Sequence, residues 1–269
     1  MIYNSALLAR QWGIMNQVDN RVVKASFRQN PPEERKLFPQ STCLMPISVG
    51  QTIHEGAKFE AVIKLINSSF KHCTILVDDS VQRHTIGIKI NASHEELYQL
   101  AVEEGDAWLK RNEQAYNQLT IPFNIMRWDD WFNNIHFIES YQRVKQQYNE
   151  NGLYKNAIDA NIDDFLSRYL KDAQDITTDY NHAVNLCLDY LLEECAVMCL
   201  WTDQLYDFEV YPSGRNKAME ATYEQLIKPL YPNYLKPVAL RFKKYPPQNE
   251  SITIVNNKNT EPQLELNYL

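Results

Sequence analysis

The alternation of short apolar runs with helix-spaced runs constrains this chain more than any other feature. Residues 41–60, STCLMPISVGQTIHEGAKFE, show it most clearly. An apolar strand over 42–49 stops at Ser48-Val49-Gly50, and Phe59, Val62, Ile63, Ile66 and Phe70 then recur at helix spacing. A strand that ends in a small residue and feeds a helix presents a short hydroxyl at the carboxyl edge of a sheet. In open α/β sheets that edge binds ligands. Ser48 is therefore the first candidate for chemistry, although a serine there also simply starts a turn.

The same alternation continues along the chain. CTILVDD (73–79) reads as a second parallel strand, and a helix follows over 94–119 with Ser93 and Glu96 as a capping box. A strand is expected over 121–128, a helix opening at Asp129-Asp130, and helices over 158–170 and 177–201. A strand over 206–214 is terminated by Pro212. A helix over 216–230 and a last strand over 237–245 follow. The expectation is a doubly wound, mostly parallel sheet with helices on both faces. We expect one catalytic domain over 1–269, with 1–40 wrapping it and 246–269 forming a tail.

Composition excludes several classes. Hydrophobic content of 44% and charged content of 23% are those of a globular domain. No apolar run approaches the roughly 20 residues of a membrane span, and the opening residues lack export features. Cys43, Cys73, Cys187, Cys195 and Cys199 lie in apolar runs and read as reduced thiols, so a cytoplasmic protein without a membrane partner is expected. No Cys/His set has zinc spacing, and no metal is expected. The net charge is −7, yet Arg215, Lys217, Lys228, Lys236, Arg241, Lys243 and Lys244 face only Glu220 and Glu224 in their segment. That cluster suits a phosphate backbone, and equally a solvated rim.

The seven glycines never form G-x-G, and neither a Walker A loop nor G-x-S-x-G is present. Dinucleotide and P-loop chemistry lose their usual support, and no cofactor is expected. On the helix DYLLEECAVMCLW (189–201), Tyr190 and Glu194 lie four apart and share a face. Its apolar neighbours suggest burial, where a carboxylate needs a cationic or hydrogen-bonding partner. A ligand ammonium is one such partner; a solvent-facing helix rim is the alternative.

Together these stretches resemble one family, the tRNA-dependent cyclodipeptide synthases. M-P-I-S-V-G (45–50) is similar to the family's strand-end motif, with Ser48 in the nucleophile's place. Y-L-L-E-E (190–194) matches Tyr190 and Glu194 to the pair that holds the substrate's amino group, and V-Y-P (210–212) matches Tyr211 to a later active-site tyrosine. Gln51 and Pro212 are similar to the Tyr-Pro subgroup. Pro46 stands where the family usually has Gly, and Ala196 where it usually has Pro. The resemblance spans roughly residues 44–245.

The resemblance implies a Rossmann-like fold similar to the catalytic domain of class I aminoacyl-tRNA synthetases. It also implies a ping-pong transfer without ATP: Ser48 takes an aminoacyl group from tRNA, and a second aminoacyl-tRNA supplies its amine to give a dipeptidyl-enzyme. Ring closure releases a diketopiperazine, with Tyr211 as proton relay and Glu194 as a further base. Pro46, Gly50, Gln51, Asp79 and Pro212 are expected near the substrate, and Gln82, Arg83 and His84 in an adjacent polar loop. Lys110, Arg111, Arg215, Lys217, Lys236, Arg241, Lys243 and Lys244 are expected to meet tRNA. Aminoacyl-tRNAs are the expected partners, with no obligate protein partner. Two other readings stand beside this one. A serine hydrolase or acyltransferase would pair Ser48 with His54 or His84; a non-catalytic tRNA- or nucleotide-binding module would not need Ser48.

Overall fold

The computed structural model describes residues 22–28, 30–172 and 179–246, with side chains omitted for 170–172. The expectations for the opening residues, for 177–178 and for the tail over 247–269 lie outside the described residues.

Among the described residues six strands form one sheet. In chain order they are β1 (Val22–Phe27), β2 (Thr42–Ser48), β3 (His72–Asp78), β4 (Phe123–Arg127), β5 (Phe208–Tyr211) and β6 (Lys236–Tyr245). Their spatial order is β1-β6-β5-β2-β3-β4. All pairs are parallel except β1 with β6. β2 and β3 are buried almost end to end, as strands covered on both faces must be. β1 is the correction to the expected wrap: its alternating exposure marks an edge strand, with Lys24 opposite Lys243.

Besides a single α-helical turn at Pro32–Arg35, the helices are α1 (Gly56–Asn67), α2 (Arg83–Lys89), α3 (His94–Tyr116), α4 (Trp128–Phe132), α5 (Phe137–Glu150), α6 (Gly152–Asp172), α7 (Tyr180–Leu200) and α8 (Lys217–Thr222). α2 replaces the expected polar loop. α3 begins with the expected capping box, Ser93 accepting from the Glu96 N–H while Glu96 accepts from the Ser93 N–H. The helix expected over 216–230 is divided, α8 passing into a π-helical segment at Tyr223–Ile227.

Strand alternation separates two cores. Cys43, Met45 and Ile47 of β2, Val49 in the turn after it, and Ile75 and Val77 of β3 pack with Phe59, Ile63 and Trp108 on one face. Leu44 and Leu76 turn to the other face, toward Trp128, Trp131 and helices α5 to α8. From Leu191 to Leu200 every residue of α7 is buried, so this helix is a central post and not an amphipathic cover.

Candidate active site

The chain runs outward from β2 through β3 to β4, then returns to place β5 on the other side of β2. That reversal is the topological switch point, and the crevice beyond its strand ends is where open α/β sheets bind ligands. Ser48 ends β2 and Tyr211 ends β5. Counting by twos from Leu44 puts Pro46 and Ser48 on the α7 face; the same count from Leu76 reaches Asp78. Pairing between β2 and β5 is registered at Cys43 and Leu44 and is not continued at Pro46, which has no N–H to give. The proline thus sits where the ladder gives way to a cavity.

That cavity has a volume of about 480 Å³. Its walls include Pro46, Ser48, Gln51, Asp78, Tyr190, Glu194 and Tyr211, with Trp128, Ile162, Phe165, Leu191 and Met219 supplying apolar surface. Ser48 and Gln51 flank a tight turn in which the Gln51 N–H donates to the Ser48 carbonyl at 3.1 Å. Gly50 has φ of 87° there, a conformation that favours glycine. Gly50 therefore shapes the turn and does not line the cavity.

Ser48 Oγ lies 2.9 Å from the Tyr211 hydroxyl. Burial first, then Glu194, Asp78 and Glu209, push the Tyr211 phenol upward, so it stays protonated near neutrality, although the Ser48 bond pulls the other way. His54 takes a different part: its Nδ1 accepts the Ser48 backbone N–H at 2.9 Å, and burial pushes it down to about 4. His84 bonds Glu193 at 3.2 Å. The two histidines that a hydrolase reading would pair with the Ser48 hydroxyl are thus engaged elsewhere.

α7 presents two adjacent carboxylates with opposite surroundings. Glu193 accepts from Arg83 Nη1 at 3.0 Å, from Trp128 Nε1 at 2.7 Å and from His84. Burial alone would raise its carboxyl, but His84 and Arg83 hold it below its ordinary value. Glu194 receives the Tyr190 hydroxyl at 3.3 Å and the Asn216 amide at 3.4 Å, both long bonds from neutral donors. Burial pushes it up to about 7. A buried carboxylate so weakly met is suited to a ligand cation.

Other expected residues fall elsewhere. Asp79 is corrected: its carboxylate pairs with Arg127 and accepts the Ser80 N–H at 2.7 Å, while the preceding Asp78 lines the cavity. Pro212 is buried behind the strand end and is not part of the lining. Arg215 is corrected as a tRNA contact: its side chain, 2% exposed, bonds Glu209 at 2.7 Å and stacks 3.9 Å over the Tyr223 ring. Lys217 pairs with Asp164, and Arg111 with Glu55. Lys110, Arg241, Lys243 and Lys244 are exposed, and Lys236 is half-buried. Asn216 and Asp78 were missed by sequence reasoning. Asp78 had a signal, since strand alternation from Leu76 aims it at the Ser48 face; Asn216 had none beyond its capping of α8.

Among the described residues no three His, Cys, Asp or Glu side chains group as a metal site, and no helix is long and apolar enough to cross a membrane.

The fold and cavity define a class: a mixed α/β protein with a mostly parallel sheet and a ligand cavity at its switch point. A cyclodipeptide synthase from Fluoribacter dumoffii is 72% identical to this chain, covering 84% of it and 100% of the solved chain, with a TM-score of 0.82. The chain belongs to the cyclodipeptide synthase family, enzymes that form cyclic dipeptides. A cyclodipeptide synthase from Candidatus Glomeribacter gigasporarum bound to Phe-tRNAPhe shares the fold at 18% identity and a TM-score of 0.63, over 86% of this chain and 98% of that one. A Mycobacterium tuberculosis structure, described as demonstrating that cyclodipeptide synthetases are related to type I tRNA synthetases, shares it at 12% identity and 0.58, over 85% and 100%. No family model and no curated protein matches the chain.

Proposed function

We propose that this cyclodipeptide synthase draws both residues from aminoacyl-tRNAs and carries them through an ester on Ser48. The Glomeribacter relative's bound Phe-tRNAPhe supports the substrate class. The observation that carries the reading is the Ser48–Tyr211 contact of 2.9 Å, in one cavity with the weakly partnered Glu194. Ser48 attacks the first ester carbonyl, and tRNA leaves. One ester replaces another, so no ATP is needed. Glu194, Tyr190 and Asn216 hold the α-ammonium and fix the carbonyl for attack.

Atom balance corrects the expected second step. For the dipeptide to remain on Ser48, the residue already there must supply the amine and the second aminoacyl-tRNA its carbonyl. Glu194, raised to about 7, is matched to take the proton of that amine. The new terminal amine then attacks the Ser48 ester, the bond to Oγ breaks, and Tyr211 returns a proton to Oγ.

Gln51 and Pro212 support assignment to the Tyr-Pro subgroup. The exposed Lys24, Arg241 and Lys243 of the β1–β6 edge, with Lys110 of α3, are our candidates for tRNA contact. The cytoplasm, which holds charged tRNA, is the compartment this reading assigns to the reaction. Mass spectrometry of medium from expressing cells tests the reading: a cyclic dipeptide is expected that disappears in Ser48→Ala, and a product that persists in that variant contradicts it.

A further inference from the structure

Ser48 is flanked on both sides. Tyr211 stands at the end of β5; on the other side Asp78 is the register partner of Ser48 in β3. Asp78 lines the cavity, is 4% exposed, and its Oδ1 has no hydrogen-bond partner among the described residues. The arginines of this layer are committed elsewhere: Arg83 to Glu193, Arg127 to Asp79 and Arg215 to Glu209. Arg168 lies at the exposed rim, its Nε on the Asp164 carbonyl of its own helix. Among the described residues, two carboxyls in the cavity therefore remain without a cation, Glu194 and Asp78. The reaction brings two ammonium groups into the same space, one with each aminoacyl-tRNA.

Resting on the proposed reaction, we propose that Asp78 receives the α-ammonium of the second aminoacyl group and takes its proton as that amine closes the ring. The nitrogen bonds to the Ser48 ester carbonyl, the carbonyl–Oγ bond breaks, and the ammonium gives up two protons. One goes to the Asp78 carboxylate; the other reaches the departing Oγ by way of Tyr211. Asp78 is then neutral, and its proton passes to solvent as the product leaves, which restores the carboxylate for the next ammonium. Burial first, and then Glu194 of α7, the adjoining Asp79 and Glu209 of β5, favour that neutral form. Tyr190 and Tyr211 face it as well, both phenols held protonated. An arriving ammonium reverses the balance by supplying the missing cation.

The test separates the second substrate from the first. Protein is acylated with a radiolabelled charged tRNA pool, then chased with a charged pool or with the same pool deaminated by nitrous acid to hydroxyacyl-tRNA. The wild type is expected to accept the aminoacyl chase at least about tenfold faster. In Asp78→Asn, and in the smaller Asp78→Ser carried in parallel, label on Ser48 is expected to persist while that preference falls to near one. Dipeptidyl-enzyme should accumulate and cyclic product should drop by about 100-fold. Equal use of both chases by the wild type overturns the assignment, as does wild-type product or preference in either variant. Loss of Ser48 label in both variants also overturns it, because Asp78 would then serve the first step or the fold. Absence of label in the wild type would instead sink the reaction itself.

Discussion

The Tyr211 hydroxyl lies 2.9 Å from Ser48 Oγ although the residues are 163 positions apart. They meet because the chain crosses from β4 back to β5, bringing a second strand end beside the first at the switch point. Tyr211→Phe removes the hydroxyl and leaves the ring against His54. Single-turnover assays should show cyclic product formation slowed by about 10²- to 10⁴-fold, the range of a lost proton relay. An unchanged rate would remove Tyr211 from proton transfer.

Glu194 makes the reaction and the fold respond to pH in opposite senses. Its folded carboxyl, pushed up to about 7 by burial, holds a proton between pH 4.5 and 7 that the unfolded chain has released. Stability from this group is therefore greatest below pH 4.5 and lost as pH rises through 7. Glu194→Gln should gain on the wild type over that window, by on the order of 3 kcal/mol in denaturant titrations. Ammonium binding needs the carboxylate, so wild-type turnover should climb across the same range. Parallel stability curves for the two proteins would refute the assignment.

Gly105 of α3 lets that helix lie against the Asp79–Arg127 pair. A Cβ built there would stand 2.6 Å from the Asp79 Cβ and 2.9 Å from Arg127 Nη2. Gly105→Ala should therefore destabilise the protein by about 1–3 kcal/mol despite alanine's better helix propensity. Thermal unfolding reads this directly, and a raised melting temperature would contradict it.

The β1–β6 edge carries Lys24 opposite Lys243 and Arg241 opposite Ser26. If two phosphates bind there, Arg241→Glu with Lys243→Glu should flatten the salt dependence of tRNA affinity, reducing the log–log slope by about 2. Filter binding across a salt series measures this, and an unaltered slope would move the interface elsewhere.

Sequence periodicity reached the parallel core because β2 and β3 are buried on both faces and read as continuous apolar runs. Ser48, Tyr190, Glu194 and Tyr211 were legible through motifs, and their gathering in one cavity follows from strand order. β1 was not legible: its residues alternate weakly, and its partner β6 lies some two hundred residues away, so only tertiary pairing makes it a strand. α2 read as a loop because its polar residues, Arg83 and His84, point inward to a buried carboxylate on α7. Arg215 looked like one more surface cation, since nothing local reveals that Glu209 waits beneath it. Asp79 is expected at the cavity but Asp78 lines it, because one position along a strand exchanges the two faces.

Acylation of the β2 hydroxyl is the step on which the account turns. Purified protein is mixed with a radiolabelled charged tRNA pool, quenched in acid within seconds, digested and mapped. Label is predicted on one peptide, the one containing Ser48, and on none in Ser48→Ala. Cyclic dipeptide formed while that peptide stays unlabelled would contradict the account.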